Sequence, residues 1–174
     1  VPSDSDGVNN QHSRLNIENI NNLKNQPIKA DEDAFYTNSI TLNLHSVSPH
    51  ISGPNHVKSM TSIQDATEKQ IKINKAYLVS CVNSRVEDLA KAAKIIRGKK
   101  VATHVEFYIA AASSEVQDES KNRGDWQALI ESGAIPLPPG CGPCIGLGMG
   151  LLGPNEVGIS ATNRNFKGRM GDPT

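Results

Sequence analysis

Three groups of residues carry side chains able to do chemistry, and the first is Ser80-Cys81-Val82-Asn83-Ser84-Arg85. Cys81 follows a short apolar run and precedes a helical pattern, so it is expected at the carboxyl end of a strand and beside a helix N-terminus. A thiol there feels the positive end of the helix dipole, which favours the thiolate needed for metal binding or nucleophilic attack. The competing account is a buried structural cysteine, since free cysteine is among the most buried residue types. The second group, Gly140-Cys141-Gly142-Pro143-Cys144-Ile145-Gly146-Leu147-Gly148, sets a C-x-x-C pair among glycines. Three chemistries suit that spacing: half a zinc site, a thioredoxin-like redox pair, and an iron-sulfur ligand pair completed by a distant cysteine. A structural zinc site normally needs four protein ligands, and the sequence holds no second C-x-x-C or C-x-x-H, although His104 is a candidate to join. A redox pair usually opens a helix directly after a strand, whereas this one lies in a Gly/Pro-rich stretch with a third cysteine left over. The third group runs from Ser160 to Gly171 and places Asn163, Arg164, Asn165, Lys167 and Arg169 in a Gly-bounded loop. Guanidinium groups bind carboxylates through paired hydrogen bonds, so the loop suits a di- or tricarboxylate; the bland alternative is a solvated basic turn.

The elements that must position these groups read as an α/β fold. Ala76–Ser80 is a short apolar run of the buried parallel-strand type. A helix follows at once, with Ser84 or Asn83 as cap, Glu87 and Asp88 in its first turn, Leu89, Ala92, Ala93 and Ile96 as the buried stripe, and Gly98 as its stop. Residues 100–112 supply a second strand, 114–132 one or two helices, 134–137 another strand entry and 156–160 a last short strand. This β-α-β-α order predicts a three-layer, mostly parallel sheet with helices on both faces. Upstream, residues 39–44 alternate apolar and polar side chains as a half-buried edge strand would, and 62–72 suggest a short amphipathic helix. Two prolines and a glycine between Ser46 and Pro54 mark a turn or linker, and a domain boundary is expected there. Residues 1–33, rich in Asn, Ser, Asp and Gln, read as disordered or as a variable insertion.

Composition narrows the classes. Eighteen basic and eighteen acidic side chains cancel, so no bulk field recruits nucleic acid or an anionic membrane. No apolar run approaches the roughly 20 residues that span a bilayer, and the chain reads as soluble. Three cysteines cannot all pair within the chain, which argues against a disulfide framework and for a reducing compartment. With 37% hydrophobic and 4% aromatic residues, the chain is expected to be a fragment whose core surface partly faces missing neighbours.

Taken in order, Ser-Cys81-Val-Asn-Ser-Arg-Val-Glu-Asp-Leu, Gly-Cys141-Gly-Pro-Cys144-Ile-Gly and Ser-Ala-Thr-Asn163-Arg164-Asn-Phe-Lys-Gly-Arg169-Met-Gly resemble the aconitase superfamily. The similarity covers roughly Ala34 to Gly171 and includes Val47-Ser-Pro-His-Ile-Ser-Gly-Pro54, which looks like the segment leading into the family's third domain. Tyr77-Leu-Val-Ser-Cys81, Phe107-Tyr-Ile-Ala-Ala-Ala112, Gly124-Asp-Trp126 and Gly148-Met-Gly-Leu-Leu152 are most similar to its fungal mitochondrial branch in lysine biosynthesis, with isopropylmalate isomerase close behind.

The resemblance implies a [4Fe-4S] cluster on Cys81, Cys141 and Cys144, with one iron open to substrate. It also implies that Asn163, Arg164 and Arg169 hold the carboxylates of a small tricarboxylate. The implied reaction is the interconversion of homocitrate and homoisocitrate through homoaconitate. Its proton-removing base, a serine in a later domain, and a histidine from earlier domains match nothing in this sequence, so no catalytic residue is assigned here and the chain alone is expected to be inactive. Residues 34–56 would be the end of the preceding domain and a linker, and 57–174 the iron-sulfur domain. A non-catalytic iron-sulfur carrier is the reading from another class. One departure is Val82, where the family usually has threonine.

Overall fold

A computed structural model of the protein describes residues 16–174 and divides them into two units, one ending at Ser46 and one running Val47–Thr174. The expectation for residues 1–15 lies outside the described residues. In the first unit, within the stretch read as disordered or a variable insertion, helix α1 (Ile17–Asn25) forms where Asn16 caps it by accepting from the Asn19 N–H at 2.8 Å and Glu18 and Lys24 complement its two ends. The edge strand expected over 39–44 does not form; these residues are irregular and exposed up to a single 3-10 turn at Leu44–Ser46. Alternation alone cannot make a strand where no partner strand supplies the hydrogen bonds.

The second unit begins with a hairpin, β1 (His50–Ser52) antiparallel to β2 (Met60–Ser62), formed within and beyond the stretch read as linker. Helix α2 (Ile63–Glu68) follows, with the Ser62 hydroxyl accepting from the Asp65 N–H at 3.0 Å; it is shorter than the 62–72 segment expected. The main sheet comprises β3 (Lys75–Leu78), β4 (Glu106–Ile109), β5 (Ile135–Pro136) and β6 (Gly158–Ser160), in the order β5-β4-β3-β6 with every pair parallel. Between β3 and β4 lies α3 (Val86–Ile96), and between β4 and β5 lie α4 (Ser114–Asn122) and α5 (Asp125–Glu131), split at the left-handed Gly124.

The two faces of this sheet are covered differently. On one, Leu78, Phe107, Ile109 and Ala111 pack against Leu89 and Ala93 of α3, Val116 of α4 and Trp126, Ala128 and Leu129 of α5. On the other, Tyr77, Val79, Tyr108 and Ala110 pack against Leu137, Cys144, Leu152 and Met170. The α/β class with a parallel sheet is the expected one, but the second covering layer is loop rather than the helix anticipated. Right-handed crossovers stepping from β3 to β4 to β5 place all their helices on one face, and the return step to β6 must then cross the other. That return is the Gly/Pro-rich stretch after Leu137, which contains only one 3-10 turn, Gly142–Ile145. Repeated glycine and proline cannot hold a longer helix.

Candidate functional site at the carboxyl edge of the sheet

All three chemical groups of the sequence fall at the carboxyl ends of the parallel strands. Cys81 is the third residue beyond β3 and is exposed. Ser80 before it is buried and adopts φ 141°, a left-handed conformation that side chains rarely take. The Ser80 hydroxyl accepts from the Val82 and Asn83 N–H groups at 3.0 and 3.2 Å and so fixes the turn carrying Cys81. Val82 therefore still has a hydrogen-bonded backbone, while its side chain is largely exposed.

Neither expected cap starts α3. Arg85 takes the N-cap position and its N–H is received by the Asp88 carboxylate at 3.2 Å, while Ser84 is buried. Asn83 instead donates from its amide to the Ala161 carbonyl at 2.5 Å. That bond ties the end of β3 to the end of β6, across which the Ala161 N–H also reaches the Tyr77 carbonyl at 2.9 Å.

The C-x-x-C pair lies just beyond β5. Gly140 donates its N–H to the Ala111 carbonyl at 3.0 Å, which places Cys141 beside the end of β4, and the Cys144 N–H returns to the Cys141 carbonyl at 2.9 Å. Cys141 is exposed, Cys144 is 6% exposed, and all three cysteines are free thiols. The following chain is fastened to the sheet by two side chains that no local sequence pattern singles out. Tyr77 donates its hydroxyl to the Gly150 carbonyl at 2.6 Å, and Lys75 donates to the Leu151 carbonyl at 2.7 Å. Lys75 also pairs with Glu156 at 2.6 Å and Glu106 at 3.7 Å. The Tyr77 and Tyr108 rings stack at 5.7 Å, and burial, with the Glu106 hydrogen bond next, pushes the Tyr108 hydroxyl up to about 12.

The Asn/Arg loop beyond β6 sorts its polar residues into two kinds. Asn163 and Arg164 are exposed; the Thr162 hydroxyl donates to the Arg164 carbonyl at 3.2 Å, while the Asn163 and Arg164 side chains themselves make no hydrogen bond among the described residues. Asn165 donates to the Ser52 carbonyl at 2.8 Å, and Arg169 donates from Nε to the Cys144 carbonyl at 2.7 Å and from Nη2 to Cys144 Sγ at 3.2 Å. Arg169 also lies over the Phe166 ring, 5.6 Å from its centre. Gly171 closes the loop at φ 141° against the Leu152 backbone, where any Cβ would collide. Glycine at 171 is thus a packing requirement, and the Arg169–Cys144 contact depends on that approach.

Among the described residues, no three Cys, His, Asp or Glu side chains converge on a point that could hold a single metal ion. His104 is exposed in the turn before β4, at the amino edge of the sheet, and is not brought to the cysteines. His104 is therefore not placed to complete a mononuclear zinc site with the cysteines.

This fold and this arrangement define an α/β domain with its polar and thiol groups gathered at one strand edge. The sequence profile of the aconitase family (aconitate hydratase) matches residues 64–174, and the chain belongs to that family. Among curated proteins it is 59% identical over 164 residues to the mitochondrial homoaconitase of Mycosarcoma maydis, covering 94% of this chain and 22% of that protein. It is 59% identical over 160 residues to that of Debaryomyces hansenii, with 92% and 23% covered, and 57% identical over 162 residues to that of Cryptococcus neoformans, with 93% and 22% covered. The chain thus spans less than a quarter of the length of these relatives.

Proteins of this family use an iron-sulfur cluster. The donor set here suits one: three unpaired thiols at neighbouring strand ends, with an arginine N–H already directed at one sulfur. A cluster is several atoms wide, so its ligands need not converge as those of a single ion must.

Proposed function

We propose that this chain is the cluster-binding part of a homoaconitase, a hydro-lyase that interconverts homocitrate, homoaconitate and homoisocitrate in lysine biosynthesis. In this reading residues 57–174 are the iron-sulfur domain, 34–56 the end of the preceding domain and a linker, and Cys81, Cys141 and Cys144 the ligands of a [4Fe-4S] cluster. The observation that carries it is the placement of both cysteine motifs and the Asn163–Arg169 loop on one edge of one parallel sheet, the edge where open α/β sheets bind ligands. The relatives, mitochondrial homoaconitases, support this substrate class and a mitochondrial location.

When bound, the cluster supplies a Lewis-acidic iron able to polarise a leaving hydroxyl. The chain's own residues do the rest of the positioning. The Ser80 turn presents Cys81, the Gly142–Ile145 turn presents Cys141 and Cys144, and Tyr77 and Lys75 pin the far end of that segment. Arg164, exposed and with its side chain unengaged, is suited to a paired hydrogen bond with one substrate carboxylate, and Asn163 beside it to a single one. Arg169 retains the N–H groups not committed to Cys144 for a second carboxylate. The proton-removing base and further substrate contacts come from other domains of the same enzyme, and neither nucleic acid nor membrane is a partner. No described helix is long and apolar enough to cross a membrane.

The test is a chimaera in which this chain replaces the matching segment of the Mycosarcoma maydis protein, assayed for hydration of homoaconitate by loss of its double-bond absorbance. Turnover of homoaconitate, abolished by Cys144→Ser, is expected. A chimaera that carries a cluster but turns over only isopropylmalate or citrate would overturn the substrate assignment.

A further inference from the structure

Arg169 makes a contact that substrate binding does not require. Its Nε and Nη2, one edge of the guanidinium, straddle Cys144 and donate to its carbonyl at 2.7 Å and to its Sγ at 3.2 Å. Cys144 is 6% exposed and packs among Tyr77, Val79, Tyr108 and Leu137, so few other donors can reach its sulfur. The guanidinium is held in place by its position over Phe166 and by the bridge between Gly171 and Leu152, two residues further along the chain. Asn165 anchors the loop's other end to Ser52. Arg164 and Asn163, between Ala161 and Asn165, make no comparable bond. The loop is therefore anchored at Asn165 and Arg169, and the free Asn163 and Arg164 side chains precede both anchors.

We propose that Arg169 is a positioning residue for Cys144, clamping the sulfur and carbonyl of this ligand in register for the iron-sulfur cluster before any substrate is present. The inference rests on the reading of Cys144 as a cluster ligand. A positively charged N–H donor on a ligand sulfur has two consequences. It holds the sulfur's orientation, and partners of this kind typically change metal affinity by about tenfold or more when removed. It also stabilises the more negative, reduced form of a cluster, so its loss shifts the reduction potential downward. A residue acting only on substrate would do neither in a substrate-free protein.

The experiment uses the full chain after anaerobic reconstitution with iron and sulfide, without substrate. Parent, Arg169→Gln, Arg169→Lys, Lys167→Gln and Cys144→Ser are compared by bound iron and sulfide, by the rate of iron loss to a chelator, and by midpoint potential. Lys167→Gln removes one positive charge from the same loop at an exposed side chain. The clamp predicts iron loss about tenfold faster in Arg169→Gln with a more negative midpoint, partial recovery in Arg169→Lys, which keeps the charge without the fork, and parental behaviour in Lys167→Gln. If Arg169→Gln matches the parent in both retention and potential while Cys144→Ser fails to load, the clamp is wrong and the ligand assignment stands. If Cys144→Ser loads and retains iron like the parent, the ligand assignment fails and takes the clamp with it. Should Arg169→Gln lose the native far-ultraviolet spectrum, Arg169→Lys decides the matter on the same readouts.

Discussion

Replacing Tyr77 by Phe removes one oxygen atom from the face of the sheet that carries the cysteine loop. The ring can stay stacked on Tyr108, so no cavity opens, and the lost interaction is the 2.6 Å hydrogen bond to the Gly150 carbonyl. A neutral hydrogen bond contributes about 0.5–1.5 kcal/mol, with an added penalty for a carbonyl left unpaired. Gly150 is only half-buried, so water can reach that carbonyl and keep the total near 1–1.5 kcal/mol. Because the bond fastens loop to sheet, most of this falls on local opening of the segment around Cys144 rather than on global unfolding. Alkylation of Cys144 in the reduced, metal-free chain should then accelerate about 5- to 10-fold, since each 1.4 kcal/mol is tenfold in an equilibrium constant. Labelling of exposed Cys81 and Cys141, resolved by peptide mass spectrometry, should stay at the parental rate. Leu129→Ala supplies the contrast from the helical face. Leu129 is fully buried, and its truncation should cost about 2–5 kcal/mol in urea unfolding while leaving Cys144 labelling unchanged. Equal acceleration by both variants, or none in Tyr77→Phe, would refute the claim that Tyr77 tethers the loop.

Other expectations follow from the same contacts. Gly171→Ala introduces a Cβ into the Leu152 backbone at φ 141° and should lower the melting temperature and release the Arg169 loop, measurable as proteolysis between Asn163 and Arg169. The Gly153 N–H, and then Lys75, hold the Glu156 carboxyl below its ordinary value of 4.5. Its folded value being the lower, its stabilising contribution is complete above that ordinary value and is lost as pH falls below it. Urea midpoints of Glu156→Gln and parent should therefore differ at pH 7 and converge in acid. Tyr108, pushed up to about 12, gives the opposite limb: its contribution is complete below about pH 10 and lost as pH rises toward 12, and Tyr108→Phe should remove that part of the alkaline decline.

The sequence made the site easier to read than the framework around it. Cys81 could be placed because an apolar run and a helical stripe bracket it, and period alone fixes which end of the strand it occupies. The order of Gly-Cys141-Gly-Pro-Cys144 and Asn163-Arg164 to Arg169 carried the family, which spacing alone could not. What escaped depended on long-range contacts. Asn83 looked like a helix cap because its partner, the Ala161 carbonyl, lies 78 residues away. Tyr77 and Lys75 looked like ordinary strand residues because the carbonyls they hold belong to a loop more than 70 residues later. Arg169 looked like one more carboxylate binder because nothing local reveals that it folds back on Cys144. Residues 39–44 failed in the other direction, alternating as a strand does without a neighbour to pair with.

The central claim, that Cys81 joins Cys141 and Cys144 across 60 residues of chain to hold one cluster, is most directly tested by the iron and sulfide content of reconstituted protein. The parent should bind about four of each, and single substitution of any of the three cysteines by serine should abolish or degrade that stoichiometry. A Cys81→Ser protein that binds the full complement with parental stability would contradict the account.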